Sequence, residues 1–169
     1  MKNRTASQSR ITFHYRTPDQ IEPAVLDQIR DLIQRGGGVG KSFIRDNLRD
    51  ARLIGYALDE ALRVVGSVTL KRPKEAYRKK IERATGLSLS GYLERGYTVV
   101  EPDYRRRNIA DILIKGLIER SRGERIYVTI RMDNPPPLRL TYKNNMVLAA
   151  TFIHDKTGNK IGVFVNKVD

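Results

Sequence analysis

One segment constrains the fold of this chain more than any other: residues 92–110 have the pattern of a strand, a cationic turn and the start of a helix. The β-branched run ends at Pro102, three arginines follow at 105–107, and apolar residues recur at helical spacing from Ile109. A strand that leads through a turn into a helix N-terminus presents unpaired backbone N–H groups and positive helix-dipole potential, which suits a phosphate. Three arginines alone are more typical of a solvated loop, so the interpretation depends on the surrounding segments.

The composition is that of a globular domain and argues against several kinds of site. The 169 residues, 40% hydrophobic and 30% charged, predict one domain over 10–169 after a frayed N-terminus at 1–9. The absence of cysteine removes disulfides, thiolate ligands and cysteine nucleophiles, and His14 and His154 are too few for a histidine-rich metal site. No apolar run approaches the roughly 20 residues of a membrane span. We therefore expect a cytoplasmic protein without a metal.

The formal net charge of +13 favours polyanionic partners such as nucleic acid, an acidic membrane or a phosphate-rich small molecule. The excess positive charge is spread along the chain, with one cluster at Arg105–Arg107. The other cluster comprises Lys71, Arg72, Lys74, Arg78, Lys79, Lys80 and Arg83. Charge alone does not choose among these partners.

The spacing of apolar residues predicts a single α/β domain with a mixed sheet of about six to seven strands and helices on both faces. Turn residues and helix-start residues separate the elements. In order, the sequence predicts a strand at 11–15, a helix from 21 to the glycines at 36–38, a short helix around 43–48, a hairpin of 52–59 and 62–70, a helix at 73–84, a strand at 92–100, a helix at 109–120, a strand at 125–131, a short helix opened by prolines 135–137, and a hairpin of 147–153 and 160–168.

The run Gly36–Ser42 resembles a nucleotide-binding P-loop but lacks the context that this motif needs. Arg35 stands where the first glycine is required, and residues 21–34 have the periodicity of a helix instead of the strand that feeds such a loop. We interpret the glycine run as a connection between two helices that borders the substrate cleft.

From residue 92 onward, the junctions resemble those of the GNAT superfamily of N-acetyltransferases. The family's phosphate-binding turn reads Arg/Gln-x-x-Gly-x-Gly/Ala, and Arg105–Ala110 matches its first and last positions. Asn108 replaces the usual glycine. Asparagine is the residue other than glycine that best tolerates left-handed backbone angles, so the turn is compatible with this change.

A second block, residues 125–146, resembles the family's strand, asparagine, helix and Tyr-x-x-x-Gly-Phe ending. Asn134, Tyr142 and Lys143 carry the match, whereas Asn145-Met146 replaces Gly-Phe. The two blocks together cover roughly residues 92–165, and their order and spacing are more specific than either motif alone.

The resemblance implies that acetyl-CoA is the acyl donor and that an amine attacks it directly in a ternary complex. The pyrophosphate would bind backbone N–H groups of the turn with help from a basic side chain, and a strand N–H would polarise the thioester carbonyl. The strand is expected to splay from its neighbour and admit the pantetheine arm. For the pyrophosphate, the resemblance implies the backbone N–H groups of Arg107, Asn108, Ile109 and Ala110 and the side chain of Arg105 or Arg106. For the thioester carbonyl, it implies the N–H of Val99 or Val100.

Three further side chains are candidates, each with a plain structural alternative. Tyr142 matches the position that protonates the departing thiolate, or it is an amphipathic residue at the core edge. Glu94 accepts the amine proton, or it is a surface partner of a basic neighbour. Asn134 bonds the pantetheine amide, caps the next helix, or does both. His14 and His154 are expected to be structural.

The resemblance does not identify the acceptor amine, and the oligomeric state is equally open, a dimer being permitted. The alternative function is a basic nucleic-acid-binding or RNA-associated module that keeps the fold without catalysis. A steep salt dependence of nucleic-acid binding would distinguish that alternative.

Overall fold

The computed structural model describes residues 10–36 and 43–167, so the predicted frayed terminus at 1–9 and the glycine run at 37–42 lie outside the described residues. A short 3-10 turn at Pro18–Gln20 precedes the first helix, which begins at Pro23 and not at the predicted residue 21. The strands are β1 Thr12–Arg16, β2 Leu53–Leu58, β3 Val64–Lys71, β4 Leu93–Val100, β5 Ile126–Arg131, β6 Met146–Ile153 and β7 Lys160–Asn166. The helices are α1 Pro23–Gly36, α2 Ile44–Arg49, α3 Glu75–Thr85, α4 Ile109–Arg120 and α5 Pro135–Lys143.

The seven strands form one mixed sheet in the order β1-β2-β3-β4-β5-β7-β6. All neighbouring strands are antiparallel except β4 and β5, which run parallel at the centre. A parallel pair needs a crossover connection, and α4 supplies it. The predicted α/β fold with a mixed sheet of six to seven strands is therefore confirmed.

Helices cover both faces of this sheet, as the amphipathic patterns predicted. One face carries α4, mainly over β2 and β3, and α5 beside β6, and the other face carries α1, α2 and α3. The buried residues at the centre of the first face include Leu113, Leu117, Val128 and Phe164, and those of the second include Ile29, Leu48 and Ile54 under α1 and α2, and Ile81, Tyr127 and Val163 under α3.

The start of α4 lies very close to β3 because Gly66 has no side chain. A Cβ atom at Gly66 would lie 2.9 Å from Cγ2 of Ile109, the first residue of α4. This close approach seats the N-terminus of α4 directly over the sheet, beside the end of β4.

The central pair of strands diverges almost at once. β4 and β5 pair only through Leu93 with Ile126 and Glu94 with Tyr127. Beyond these residues, the edge of β4 that faces β5 has no strand partner. A β-bulge at Tyr97, whose φ is 49°, shifts the register of β4 against β3 by one residue. The predicted splay of this strand is therefore present, and it opens a slot in the middle of the sheet.

Candidate active site

A cleft of about 750 Å³ occupies the slot between β4 and β5. Its size is that of a small-molecule or cofactor site. The outer end lies at the basic turn before α4, and the inner end lies where the two strands meet. The lining residues that matter below are Glu94, Arg95, Tyr97, Val100, Arg105, Arg106, Asn108, Ile109, Ala110, Asn134 and Lys143.

At the outer end, the backbone of the turn is shaped to hold an anion. Arg106 and Asn108 both adopt the left-handed conformation, with φ of 62° and 58°, and Asn108 is the N-cap of α4. Among the described residues, no acceptor takes the backbone N–H groups of residues 107–110. Free N–H groups in such a turn form a concave anion site at the positive end of a helix. Asparagine thus occupies the position where the family pattern has glycine, with the backbone that glycine would adopt.

The three arginine side chains of the turn do not act together. Arg105 and Arg106 line the cleft, and Nε of Arg105 donates to the carbonyl of Val100 at 3.4 Å. Arg107 instead lies over the ring of Tyr104, 4.9 Å from its centre. All three side chains are exposed. Two arginines therefore add positive charge to the cleft, and the third packs outside it.

The buried carboxylate of Asp59 links the turn before α4 to the β2–β3 hairpin through hydrogen bonds. Asp59, 5% exposed, accepts hydrogen bonds from the backbone and side chain of Arg63 and from the hydroxyl of Tyr104 at 2.9 Å. Burial by itself would raise the pKa of Asp59, but these hydrogen bonds outweigh it and hold the pKa below its ordinary value. No sequence motif marks Asp59, so its role was not predictable from the sequence alone.

Of the two backbone groups proposed to polarise the thioester, the geometry favours Val100. The N–H of Glu101 donates to the carbonyl of Val65 on β3 at 2.9 Å. Backbone groups alternate sides along a strand, so the N–H of Val100 points the other way, into the slot. The Val99 N–H accordingly faces β3. The side chain of Val99 lies against the end of α1, where a Cβ at Gly36 would be 2.7 Å from its Cγ2.

At the inner end, Glu94 is buried instead of standing on the surface. Its residue exposure is 9%, and its Oε2 lies 3.5 Å from Nζ of Lys71. Burial raises the pKa of Glu94 above its ordinary value, although Lys71 acts in the opposite direction. Burial, and after it the Glu94 charge, raise the pKa of Tyr127, its neighbour on β5. A buried carboxyl with a raised pKa at the end of a cleft is suited to accept a proton.

Two more residues of β4 line the inner end and were not singled out from sequence. Arg95 is 4% exposed and lies on the opposite face of β4 from Glu94. Tyr97 occupies the bulge, where its hydroxyl accepts a hydrogen bond from Asn47 at 2.6 Å. For Arg95, the available signal was a charged residue inside a predicted strand.

Tyr142 lies elsewhere than its predicted role requires. It is 51% exposed, packs edge-on against Phe164 with ring centres 5.3 Å apart, and is not among the residues that line the cleft. Counted back from Asn145-Met146, the Tyr-x-x-x-Gly-Phe pattern falls on Thr141, one residue earlier. Thr141 is fully buried, and its Oγ1 accepts a hydrogen bond from Arg95. The amphipathic interpretation of Tyr142 agrees with this packing.

The other residues of the second block do reach the cleft. Asn134 is the N-cap of α5 but makes no side-chain capping hydrogen bond, so its exposed amide is available to a ligand. Lys143 lines the cleft with its Nζ 2.6 Å from Oδ2 of Asp111. Asn145 has a φ of 59°, again an asparagine where the family has glycine.

The histidines lie outside the cleft. His14 stacks on Tyr56 with ring centres 5.1 Å apart, and burial lowers the pKa of His14. His154 contacts Thr157 in the β6–β7 turn. Over residues 10–36 and 43–167, no group of three or more metal-ligating side chains is found, and none of the described helices is long and apolar enough to cross a membrane.

Comparisons with known proteins agree with this architecture. Residues 40–144, more than half of the chain, match the model of the acetyltransferase (GNAT) family. Comparison of the sequence with curated proteins gives no significant match.

Among solved structures, NAA60 of Arabidopsis thaliana in complex with acetyl-CoA is 19% identical with a TM-score of 0.68, over 93% of this chain and 100% of that one. The ribosomal-protein-S18-alanine N-acetyltransferase of Escherichia coli is 11% identical with a TM-score of 0.67, over 94% and 95%. A chimera of the spermidine N-acetyltransferase SpeG from Vibrio cholerae and hSSAT is 13% identical with a TM-score of 0.64, over 91% and 94%. At these identities the likenesses show a shared fold. The family match over more than half of the chain shows that the chain belongs to the GNAT acetyltransferase family, and the splayed central strands agree with it.

Proposed function

We propose that this protein transfers an acetyl group from acetyl-CoA to an amine, by direct attack in a ternary complex. One observation carries the proposal. The slot between β4 and β5 opens at one end onto a turn with free N–H groups and ends at the other beside a buried carboxylate. A donor with a pyrophosphate and a long neutral arm fits this arrangement. Solved relatives bind acetyl-CoA or CoA, according to their descriptions.

The donor would bind along the cleft from the turn to the inner end. The N–H groups of residues 107–110 hold the pyrophosphate, and Arg105 and Arg106 add charge. The Asn134 amide bonds the pantetheine arm. The N–H of Val100 donates to the thioester carbonyl and stabilises the oxyanion that develops as the amine attacks.

Glu94 would act as the base. The amine nitrogen forms a bond to the carbonyl carbon, its proton passes to Glu94 directly or through one water, and the carbon–sulfur bond breaks. The thiol of CoA leaves as a thiolate. Thiols have pKa values near 8.5, so departure needs no dedicated acid. Tyr142, which lies outside the cleft lining, is not required for this step.

Isothermal titration with acetyl-CoA tests the proposal. We expect saturable one-to-one binding with a submillimolar dissociation constant. A variant with Asn108→Val should bind much less, because a β-branched residue resists the left-handed backbone of the turn. Absence of saturable binding by the folded wild-type protein would rule the function out. The alternative of nucleic-acid binding without catalysis is separated by the same titration and by the salt dependence of RNA mobility shifts.

A further inference from the structure

Arg95 is a buried cation at the inner end of the cleft whose charge has no protein partner in the described structure. It follows directly after Glu94, the last residue of β4 that pairs with β5. Its residue exposure is 4%, and it lines the cleft. One hydrogen bond is formed, from a terminal nitrogen to Oγ1 of Thr141 at 2.9 Å, and Nε has no partner among the described residues. None of the described carboxylates lies within ion-pair distance of this guanidinium.

This arrangement is costly for the free protein. Charged side chains are almost never fully buried unless they are paired. Burial lowers the pKa of Arg95 to about 10, which still leaves the side chain charged at neutral pH. Thr141 offers only a neutral acceptor. Glu94 is adjacent in sequence, but it lies on the other face of β4 and is paired with Lys71. The missing negative charge is therefore one that a ligand can supply.

The pyrophosphate of the donor is not that ligand. Arg95 precedes Val100 by five residues of a strand with a bulge at Tyr97, so at up to about 3.3 Å per residue the two lie up to about 17 Å apart. The phosphate-binding turn begins beyond the end of this strand. An anion that contacts Arg95 therefore lies at the reacting end of the cleft, close to the acyl group and the acceptor.

We propose that Arg95 binds a carboxylate carried by one of the two reactants. The carboxylate belongs either to a dicarboxylic acyl chain on the donor or to the acceptor. Beyond the hydrogen bond to Thr141, the planar guanidinium keeps further N–H groups, and a carboxylate is the anion whose charge and two oxygens match a guanidinium. This inference rests on the proposed acyl-CoA function and deepens it by naming the class of reactant that the inner end selects.

Binding of acyl-CoA donors, measured without an acceptor, tests whether the donor carries the carboxylate. Acetyl-CoA and succinyl-CoA are titrated calorimetrically into the wild type, Arg95→Gln and Arg131→Gln. Arg131 is an exposed control on β5, paired with Asp133. If the donor carries the carboxylate, the wild type and the control bind succinyl-CoA about tenfold more tightly than acetyl-CoA, and Arg95→Gln loses only this preference.

Binding of small carboxylates tests whether the acceptor carries the carboxylate. The protein is saturated with CoA, and propionate or propionamide is followed by ligand-observed NMR. If the acceptor carries the carboxylate, propionate binds to the wild type at millimolar concentration, propionamide does not, and Arg95→Gln abolishes the difference. Arg95→Lys, which keeps the charge without the fork, should retain part of the binding and guards against a folding defect in Arg95→Gln.

The outcomes separate this inference from the function on which it rests. Selective binding in either experiment that depends on Arg95 supports it. Tight binding of acetyl-CoA with no preference for succinyl-CoA and no propionate binding overturns the inference and leaves the proposed function intact. Failure of the folded wild type to bind any acyl-CoA overturns both.

Discussion

The two ends of the cleft differ in whether their charged side chains are exposed or buried. At the outer end, Arg105 and Arg106 are exposed, and the anion site is made by backbone N–H groups held in a left-handed turn. At the inner end, Glu94 and Arg95 are almost completely buried on opposite faces of one strand. Exposed charges are screened by water and salt, whereas buried charges interact strongly and are costly when unpaired. We infer that the outer end supplies general affinity for a phosphate-bearing donor and that the inner end supplies chemistry and selectivity.

The largest expected effect comes from the buried carboxylate of the inner end. Glu94→Gln should lower kcat about 10²- to 10⁴-fold and leave acetyl-CoA affinity unchanged, because it removes the base without altering the phosphate turn. The wild-type rate should rise with pH through the raised pKa of Glu94, since only the ionised form accepts a proton. The variant should lose this rise.

Thiol release with a panel of small amines and peptides measures the effect of Glu94→Gln. Glu75→Gln, an exposed residue of α3 paired with Lys79, is the matched control and should behave as the wild type. A Glu94→Gln variant that keeps full kcat and the same pH profile would show that the inner end does not provide the base.

The next effect tests whether the outer end depends on backbone shape. Asn108→Val should weaken acetyl-CoA binding about tenfold or more, because a β-branched residue is a poor occupant of a φ of 58°. Asn108→Gly, which adopts this conformation freely, should bind as well as the wild type. Calorimetric titration measures both. Equal affinities for the valine and glycine variants would mean that the turn does not hold the pyrophosphate.

A smaller effect is expected at Asp59, a buried carboxylate that accepts a hydrogen bond from Tyr104 beside the outer end. Asp59→Ala should lower the free energy of unfolding by about 2 kcal/mol, since the N–H donors of Arg63 and the hydroxyl of Tyr104 lose their acceptor. The folded-state pKa of Asp59 is depressed, so its stabilisation is present at neutral pH and is lost as pH falls through that pKa.

Urea denaturation at several pH values measures the effect of Asp59→Ala. The gap between the wild type and the variant should therefore narrow in acid. Asp103→Ala, at an exposed residue of the turn between β4 and α4, should stay close to the wild type at every pH. A gap that persists unchanged in acid would contradict the role of the Asp59 charge.

The smallest effects are expected from the exposed arginines. Arg105→Gln and Arg106→Gln should each weaken acetyl-CoA binding only a few-fold at low salt, and the difference should shrink as salt is added. Arg107→Gln is the internal control because its side chain lies over Tyr104 outside the cleft. Titrations at two salt concentrations compare the three. A large loss for Arg107→Gln would reverse the assignment of which arginines face the donor.

Local patterns predicted the elements because their causes are local. The bounds of α4 agree with the sequence prediction. Both signals for this helix, the apolar spacing and the turn before it, come from residues that are close together in the sequence. The left-handed conformation at Asn108 was predictable for the same reason. The exposure of Tyr142 was not predictable in this way, because one position along α5 separates the buried Thr141 from the exposed Tyr142, and the family pattern falls on Thr141.

By itself, the sequence determined the order of strands and helices along the chain, the turn before α4 with its left-handed Asn108, and the family to which both point. Only the tertiary structure decided which charges are buried. Side chains alternate along a strand, so Glu94 and Arg95 had to face opposite ways, but the bulge at Tyr97 and the early divergence of β5 place both at the end of one cleft. Burial depends on packing between segments far apart in the chain, such as Lys71 against Glu94 and Thr141 against Arg95.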